Sequence, residues 1–174
     1  MAKTTKNNPV DRKRLKTLFV SLFSILLLTL IDQLIKHVVF NRLRPVGSFV
    51  LINKVLSLTY VENRGTMMGL FNLNATVMAI ISFVVLAGLI VFVCLGKLKF
   101  GFPYVCIILI IAGGAGNIID RIFRGFVIDY IEFLFVDFYV FNFADMLITC
   151  SCFLLVFYEL YTVFAERKRQ KNDG

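Results

Sequence analysis

The sequence predicts an all-α membrane protein: four transmembrane helices with a small β element outside the bilayer. Three observations lead there. Hydrophobic residues make up 59% of the 174-residue chain and charged residues only 17%, with a mean hydropathy of +0.82, too apolar for a soluble domain of this size. Four apolar stretches, 15–38, 75–96, 102–121 and 142–164, each approach the ~20 residues that a hydrocarbon core requires. Basic residues gather before the first stretch, between the second and third, and after the fourth.

The first span follows Lys3, Lys6, Arg12, Lys13, Arg14 and Lys16, and no small-residue cleavage signal ends it, so it reads as a retained anchor. Lys97 and Lys99 join the second and third spans, and Arg167, Lys168, Arg169 and Lys171 follow the fourth. Positive-inside bias then puts both termini in the cytoplasm. A membrane domain over 15–166 is expected between basic tails, 1–14 and 167–174, that fray into solvent. The net charge of +8 sits at the chain ends and not among aromatics on one patch, which argues against a nucleic-acid partner. Cys94, Cys106, Cys150 and Cys152 lack the paired spacing of zinc or redox sites and read as small packing residues.

Two connections, 39–74 and 122–141, lie on the outer side. The run "VLSLTYV" (55–61) has strand composition, and "GFVIDYIEFLFVDFYVF" is aromatic enough to settle at headgroup level. Neither connection reads as a soluble domain, and the chain holds no internal repeat. No HExxH, P-loop or GxSxG stretch is present, and the single histidine, His37, reads as an interfacial residue.

Span length carries a chemical implication. The uncharged run between Lys16 and Asp32 covers only about three quarters of a hydrocarbon core, so the first helix must continue past Asp32 and carry it to the membrane. The run between Asp145 and Glu159 is also too short, which pulls Asp145 to the bilayer edge. Topology then gathers Asp32, Lys36, Asn117, Asp120, Arg121, Asn142 and Asp145 on one membrane face. Each ionisable group at the centre of a lone helix costs about 2.5–3.5 kcal/mol, so such a gathering needs pairing or a use.

Taken singly, the motifs also admit structural readings. "DQLIK" spaces Asp32 and Lys36 one turn apart, as an ion pair or as part of a site. "GGAGNIIDR" offers Gly113, Gly114 and Gly116 for close helix approach, ahead of Asn117, Asp120 and Arg121. In "ENRGTMMG", Asn63 and Gly65 suit a turn that presents backbone donors, or an ordinary loop. "GFVIDY" and "FNFAD" set Asp129 and Asp145 among apolar residues, where two neighbouring carboxylates share a proton and divide base and acid roles. Residue type alone leaves Asp120, Glu132 and Asp137 as alternatives to Asp129.

In order and spacing, "DQLIK", "ENRGTMMG", "GGAGNIIDR", "GFVIDY" and "FNFAD" resemble the five blocks of the lipoprotein signal peptidase (signal peptidase II) family, from Asp32 to Asp145. The resemblance implies an aspartyl protease of the bacterial cytoplasmic membrane with its site at the outer face and a catalytic pair at Asp129 and Asp145. Asp32, Lys36, Asn63, Gly65, Gly113, Asn117, Asp120, Arg121, Asn142 and Ala144 fall on supporting positions. The implied substrate is a prolipoprotein whose cysteine already carries a diacylglyceryl group, cut on the N-terminal side of that cysteine. Membrane lipids are the other expected partners, a monomer is expected, neither metal nor cofactor is required, and globomycin should inhibit. One block departs from the family: Thr66, Met67 and Met68 stand before Gly69 where small residues and an aromatic are usual, which bears on the pocket wall there. Two other readings remain open. A transporter or proton relay would distribute carboxylates through the membrane depth, and a non-enzymatic assembly factor would tolerate loss of both acids.

Overall fold

A computed structural model describes residues 9–65 and 75–172, so the Thr66–Met68 departure lies outside the described residues. The elements run α1 (Pro9–Arg42), β1 (Ser48–Ile52), β2 (Leu56–Asn63), α2 (Ala75–Cys94), α3 (Phe102–Arg124), β3 (Val127–Phe133) and α4 (Phe143–Asn172). Among the described residues, four helices are long and apolar enough to cross a membrane. At 34 and 30 residues, α1 and α4 extend to about 51 and 45 Å, well beyond a ~30 Å core. Both continue as helix through basic segments expected to fray. Successive Lys and Arg side chains are good helix formers, and the helix end favours the positive charge of Arg169 and Lys171.

Helix α3 is the centre of the bundle and packs against α1, α2 and α4. Its buried side includes Tyr104, Ile108, Ile111, Gly113, Gly116 and Asn117. Large apolar side chains on the remaining faces stand exposed, Phe19, Phe83, Phe157 and Phe164 among them, as suits lipid and not water. With lipid outside there is little hydrophobic gain in bringing helices together, so close packing and interhelical hydrogen bonds hold them. Ser21 Oγ lies 2.8 Å from Tyr104 Oη, and Thr29 Oγ1 donates to the Ala112 carbonyl at 3.2 Å. A Cβ on Gly113 would strike the Ala144 carbonyl and lie 2.9 Å from Ile148 Cγ1, and one on Gly116 would overlap the Asp32 carboxylate. These glycines therefore set how near α4 and α1 come to α3.

Outside the bundle the chain forms an antiparallel sheet in the order β1-β2-β3. Only the middle strand was read from composition. β1 is exposed along its whole length, and β3 lies within the aromatic stretch expected to rest in the interface; its partners on β2 are 64 to 77 residues away, a pairing no local window detects. Gly125 makes the attachment: at φ 77° it adopts the left-handed conformation, its N–H returns to the Arg121 carbonyl at 3.2 Å, and α3 ends in a turn leading directly into β3. Val39 and Leu43 of α1 pack with Ile128 and Tyr130 of β3 and so seat the sheet on the bundle. Of the cysteines only Cys106 is buried; Cys94, Cys150 and Cys152 are exposed on their helices, which corrects their reading as packing residues.

Gly113→Ala is expected to lower stability by about 1–3 kcal/mol through overpacking. Gly88→Ala on α2, whose added Cβ meets nothing within 4 Å, should leave it unchanged or raise it. Thermal unfolding of both variants in detergent checks the contrast.

Candidate active site

The first turn of α4 orients one acid. Asn142 precedes the helix and accepts the Asp145 N–H at its Oδ1 (2.9 Å), while Asp145 Oδ2 accepts the Asn142 N–H (3.1 Å), a reciprocal capping box. The two intervening N–H groups are also engaged: Phe143 donates to Tyr130 Oη at 3.2 Å and Ala144 to Asp32 Oδ1 at 3.2 Å. A helix start among apolar surroundings cannot leave donors open, so the termination itself draws Asp32, Tyr130, Asn142 and Asp145 together.

Asp129 comes from β3 and is almost wholly buried. Its Oδ1 accepts from Asn142 Nδ2 at 2.6 Å and its Oδ2 from Asn63 Nδ2 at 2.9 Å. The sheet register makes the second bond possible: Val61 pairs with Asp129 and Asn63 with Val127, so Asn63 is the diagonal neighbour of Asp129. The Asn63 amide is held in turn by the Gly65 N–H, which donates to Asn63 Oδ1 at 3.1 Å. Asn63 and Gly65 thus form a turn, in which the Gly65 N–H is taken up by the Asn63 side chain.

Asn117 completes the set by donating through Nδ2 to Asp145 Oδ1 at 2.7 Å. Its Oδ1 accepts from Lys36 Nζ at 2.9 Å and from Asn142 Nδ2 at 3.2 Å, so its amide has one workable orientation. Among the described residues each carboxylate oxygen of Asp129 and Asp145 therefore receives a donor, and Asn142 touches both acids.

Beneath them lies a charge cluster. Lys36 is fully buried, and its Nζ is 2.9 Å from both Asp32 Oδ2 and Asp120 Oδ2. Arg124, 26% exposed, pairs with Asp120 and donates to Gln33 Oε1 at 3.1 Å. Gln33 Nε2 reaches Asp32 (3.2 Å), Asp120 (3.3 Å) and the Gly116 carbonyl (3.1 Å). Two carboxylates thus face two cations. Asp120 also accepts the Ile128 N–H at 3.4 Å, which fixes β3 just before Asp129. Arg121 makes no ion pair within 4 Å among the described residues; it donates to the Asn117 carbonyl at 3.4 Å and lies within electrostatic reach of Asp129 and Asp145.

Every supporting residue named from sequence lies in this assembly or in a contact that shapes it. Ala144, fully buried, is wedged against Gly113 and Gly116, where a larger side chain has no room. Gln33, Arg124 and Tyr130 were missing from the expected set, and Gly116 was expected as part of the close-approach face of α3. Arg124 sits one turn after Asp120, a spacing that marks an ion pair, and Tyr130 adjoins Asp129; Gln33 gave no sign beyond adjacency to Asp32. His37 bonds to Asn41 on the exposed side.

Two clefts of about 450 Å³ flank the acids. Asp145 opens on an apolar one lined by Leu56, Ile131, Phe133, Phe141 and Met146. Asp129 opens on a polar one with Glu62, Asn63, Arg64 and Tyr139. Phe138 borders both. Burial, with the nearby Asp145 charge, pushes Asp129 up to about 7, and the donors Asn63 and Asn142 oppose the shift only in part.

Two measurements follow. An acid whose pKa is higher folded than unfolded binds more protons in the native state, so the Asp129 contribution to stability falls as pH rises from about 4 to about 7. The pH slope of the unfolding midpoint in that window should be less negative, or more positive, in Asp129→Asn than in the wild type; equal slopes contradict the shift. Lys36→Met leaves buried carboxylates without their ammonium and should cost about 3–5 kcal/mol in detergent unfolding, whereas a loss under about 1 kcal/mol would mean the cluster relaxes freely.

The comparisons agree on one relationship. Residues 24–161 match the family model described as Signal peptidase (SPase) II. The lipoprotein signal peptidase of Clostridioides difficile (strain 630) is 40% identical over 144 residues, 83% of this chain and 95% of that protein. That of Thermodesulfovibrio yellowstonii is 37% identical, covering 82% and 96%. A solved structure described as a bacterial membrane enzyme, obtained by the in meso method at 2.3 Å, superposes with a TM-score of 0.73 at 29% identity over 83% of this chain and 89% of that one. With its four apolar helices and its sheet-topped cluster of acids, this multi-pass membrane protein belongs to the signal peptidase II family, a family of aspartic peptidases.

Proposed function

We propose that the chain is the endopeptidase that removes signal peptides from diacylglyceryl-modified prolipoproteins, with Asp129 and Asp145 as its catalytic pair. The observation that carries this is the shared grip on Asn142. Asn142 Nδ2 donates to Asp129 and its N–H to Asp145, so the two acids flank one residue at the meeting of the polar and apolar clefts. Two nearby carboxylates do not readily ionise together, and a pair holding one proton supplies a base and an acid at once.

In this mechanism the ionised carboxylate takes a proton from a water, whose oxygen attacks the carbonyl carbon on the N-terminal side of the lipidated cysteine. The protonated carboxyl gives its proton to the carbonyl oxygen. Collapse of the tetrahedral intermediate breaks the C–N bond and transfers a proton to the leaving cysteine nitrogen, so a signal-peptide carboxylate and a free cysteine amine depart. Asn117, Asn142 and Asn63 hold the acids in place; Lys36 fixes the Asn117 amide, and the Gly65 N–H fixes that of Asn63. Arg121 offsets part of the negative charge.

Positive-inside bias places both termini and the 95–101 connection in the cytoplasm and the acids at the outer face of the cytoplasmic membrane. Water and a membrane-anchored substrate meet there. A transport role is less well supported, because the buried acids gather in one cluster instead of spacing along the spans.

Asp129→Asn and Asp145→Asn should each insert and fold yet lose about 10²–10⁴-fold in cleavage of a diacylated prolipoprotein in detergent. Near-normal processing by either variant would remove the pair from the chemistry. Because the reaction needs one proton on the pair and Asp129 sits at about 7, kcat/KM of the wild type should decline as pH rises through neutrality.

A further inference from the structure

The substrate class in that proposal is itself two-sided. A signal helix and two acyl chains belong in lipid, whereas the segment following the lipidated cysteine is polar and leaves into water. The two clefts divide in the same way on either side of Phe138. The one reached from Asp145 is walled by aromatic and aliphatic side chains, and the one reached from Asp129 contains charged and amide groups.

The polar cleft is also charged in a definite sense. Glu62 is already engaged: Arg64 Nη2 lies 2.9 Å from its Oε2, Arg44 Nη2 3.6 Å from its Oε1, and Tyr60 Oη donates to it at 3.2 Å. The Arg64 guanidinium keeps further donors after that bond. It is 71% exposed, and its position is set by Glu62 and by the Phe126 ring 5.4 Å away. Arg121 lies within electrostatic reach of Asp129. Of the guanidinium groups only Arg64 lines the cleft; Arg44 and Arg121 act from outside it on two of its lining residues, Glu62 and Asp129, so three cations bear on Glu62 and the single charge of an acid pair that holds one proton. The balance is positive. Asp137, on the loop that carries Phe138, does not line the cleft.

Resting on the peptidase reading, we infer that the polar cleft beside Asp129 is the subsite for the residues immediately C-terminal to the lipidated cysteine, and that Arg64, with Arg44, makes it select acidic over basic side chains there. Selection by an exposed charge acts on substrate capture, is modest in size, and is screened by salt.

The test compares three diacylglyceryl-modified substrates in neutral detergent, identical except for Asp, Asn or Lys at the second and third positions after the start of the mature segment. At low ionic strength the wild type should favour Asp over Lys by about two- to fivefold in kcat/KM, the range expected of an exposed ion pair. The preference should collapse in about 1 M salt, where the Debye length is about 3 Å. Arg64→Lys should keep the order, Arg44→Gln should narrow it, and Arg64→Glu should reverse it. Equal rates on the three substrates at low salt, or an unchanged order in Arg64→Glu, would overturn the subsite assignment and leave the peptidase reading intact. Failure of the wild type to cleave any of the three would overturn that reading and this inference with it.

Discussion

The Lys36 ammonium lies entirely out of water, 2.9 Å from Asp32, from Asp120 and from Asn117, in a part of the molecule where an unpaired charge would cost several kcal/mol. That requirement organises what surrounds it. The second oxygen of Asp32 closes the Ala144 N–H at the start of α4, and Asp120 receives the Ile128 N–H at the start of β3. Asn117 passes the orientation of the ammonium to Asp145. One neutralised cluster on α1 and α3 therefore positions the two elements that carry the candidate catalytic acids, though neither acid touches Lys36.

Above the cluster the polar groups bind one another so fully that no buried side-chain nitrogen or oxygen is left without a partner among the described residues. The amides of Asn63, Asn117 and Asn142 can each be placed only one way, because an N–H or a cation already occupies each carbonyl oxygen. Donors consequently face both carboxylates from fixed directions. Burial nonetheless pushes Asp129 up to about 7. Preorganised donors together with an elevated carboxyl suit chemistry that must hold one proton between two acids near neutrality. The same acids stand where an apolar and a polar cleft meet, which matches a scissile bond lying between a lipid-embedded signal and a solvated mature segment.

Span positions were readable because a bilayer imposes a length, and the uncharged runs beside Asp32 and Asp145 were too short to satisfy it. The same reasoning reached the gathering at one membrane face, since antiparallel helices return their ends to a common side. It could not rank Asp129 above Asp120, Glu132 or Asp137; the resemblance to known motif blocks did that. Gly113, Gly114 and Gly116 were read together as a close-approach face, but that Gly116 is the one making room for the Asp32 carboxylate depends on the face of α3 that meets α1. Gln33 and Tyr130 escaped notice because their roles arise only when segments some 80 and 13 residues away, respectively, come into contact.

By itself the sequence determined the membrane class, the four spans, the side to which the charged groups converge and, through its motif blocks, the family. These depend on composition, on hydrophobic length and on local order along the chain, all of which survive without knowledge of long-range contacts. Tertiary structure decided that a three-stranded sheet, and not one strand with an interfacial loop, carries Asp129, and that Asn142 reaches both acids. It also decided that Asp120 serves the buried ammonium. Such outcomes follow from register and from the demand that every buried donor and charge find a partner, and the partners lie far apart in the chain.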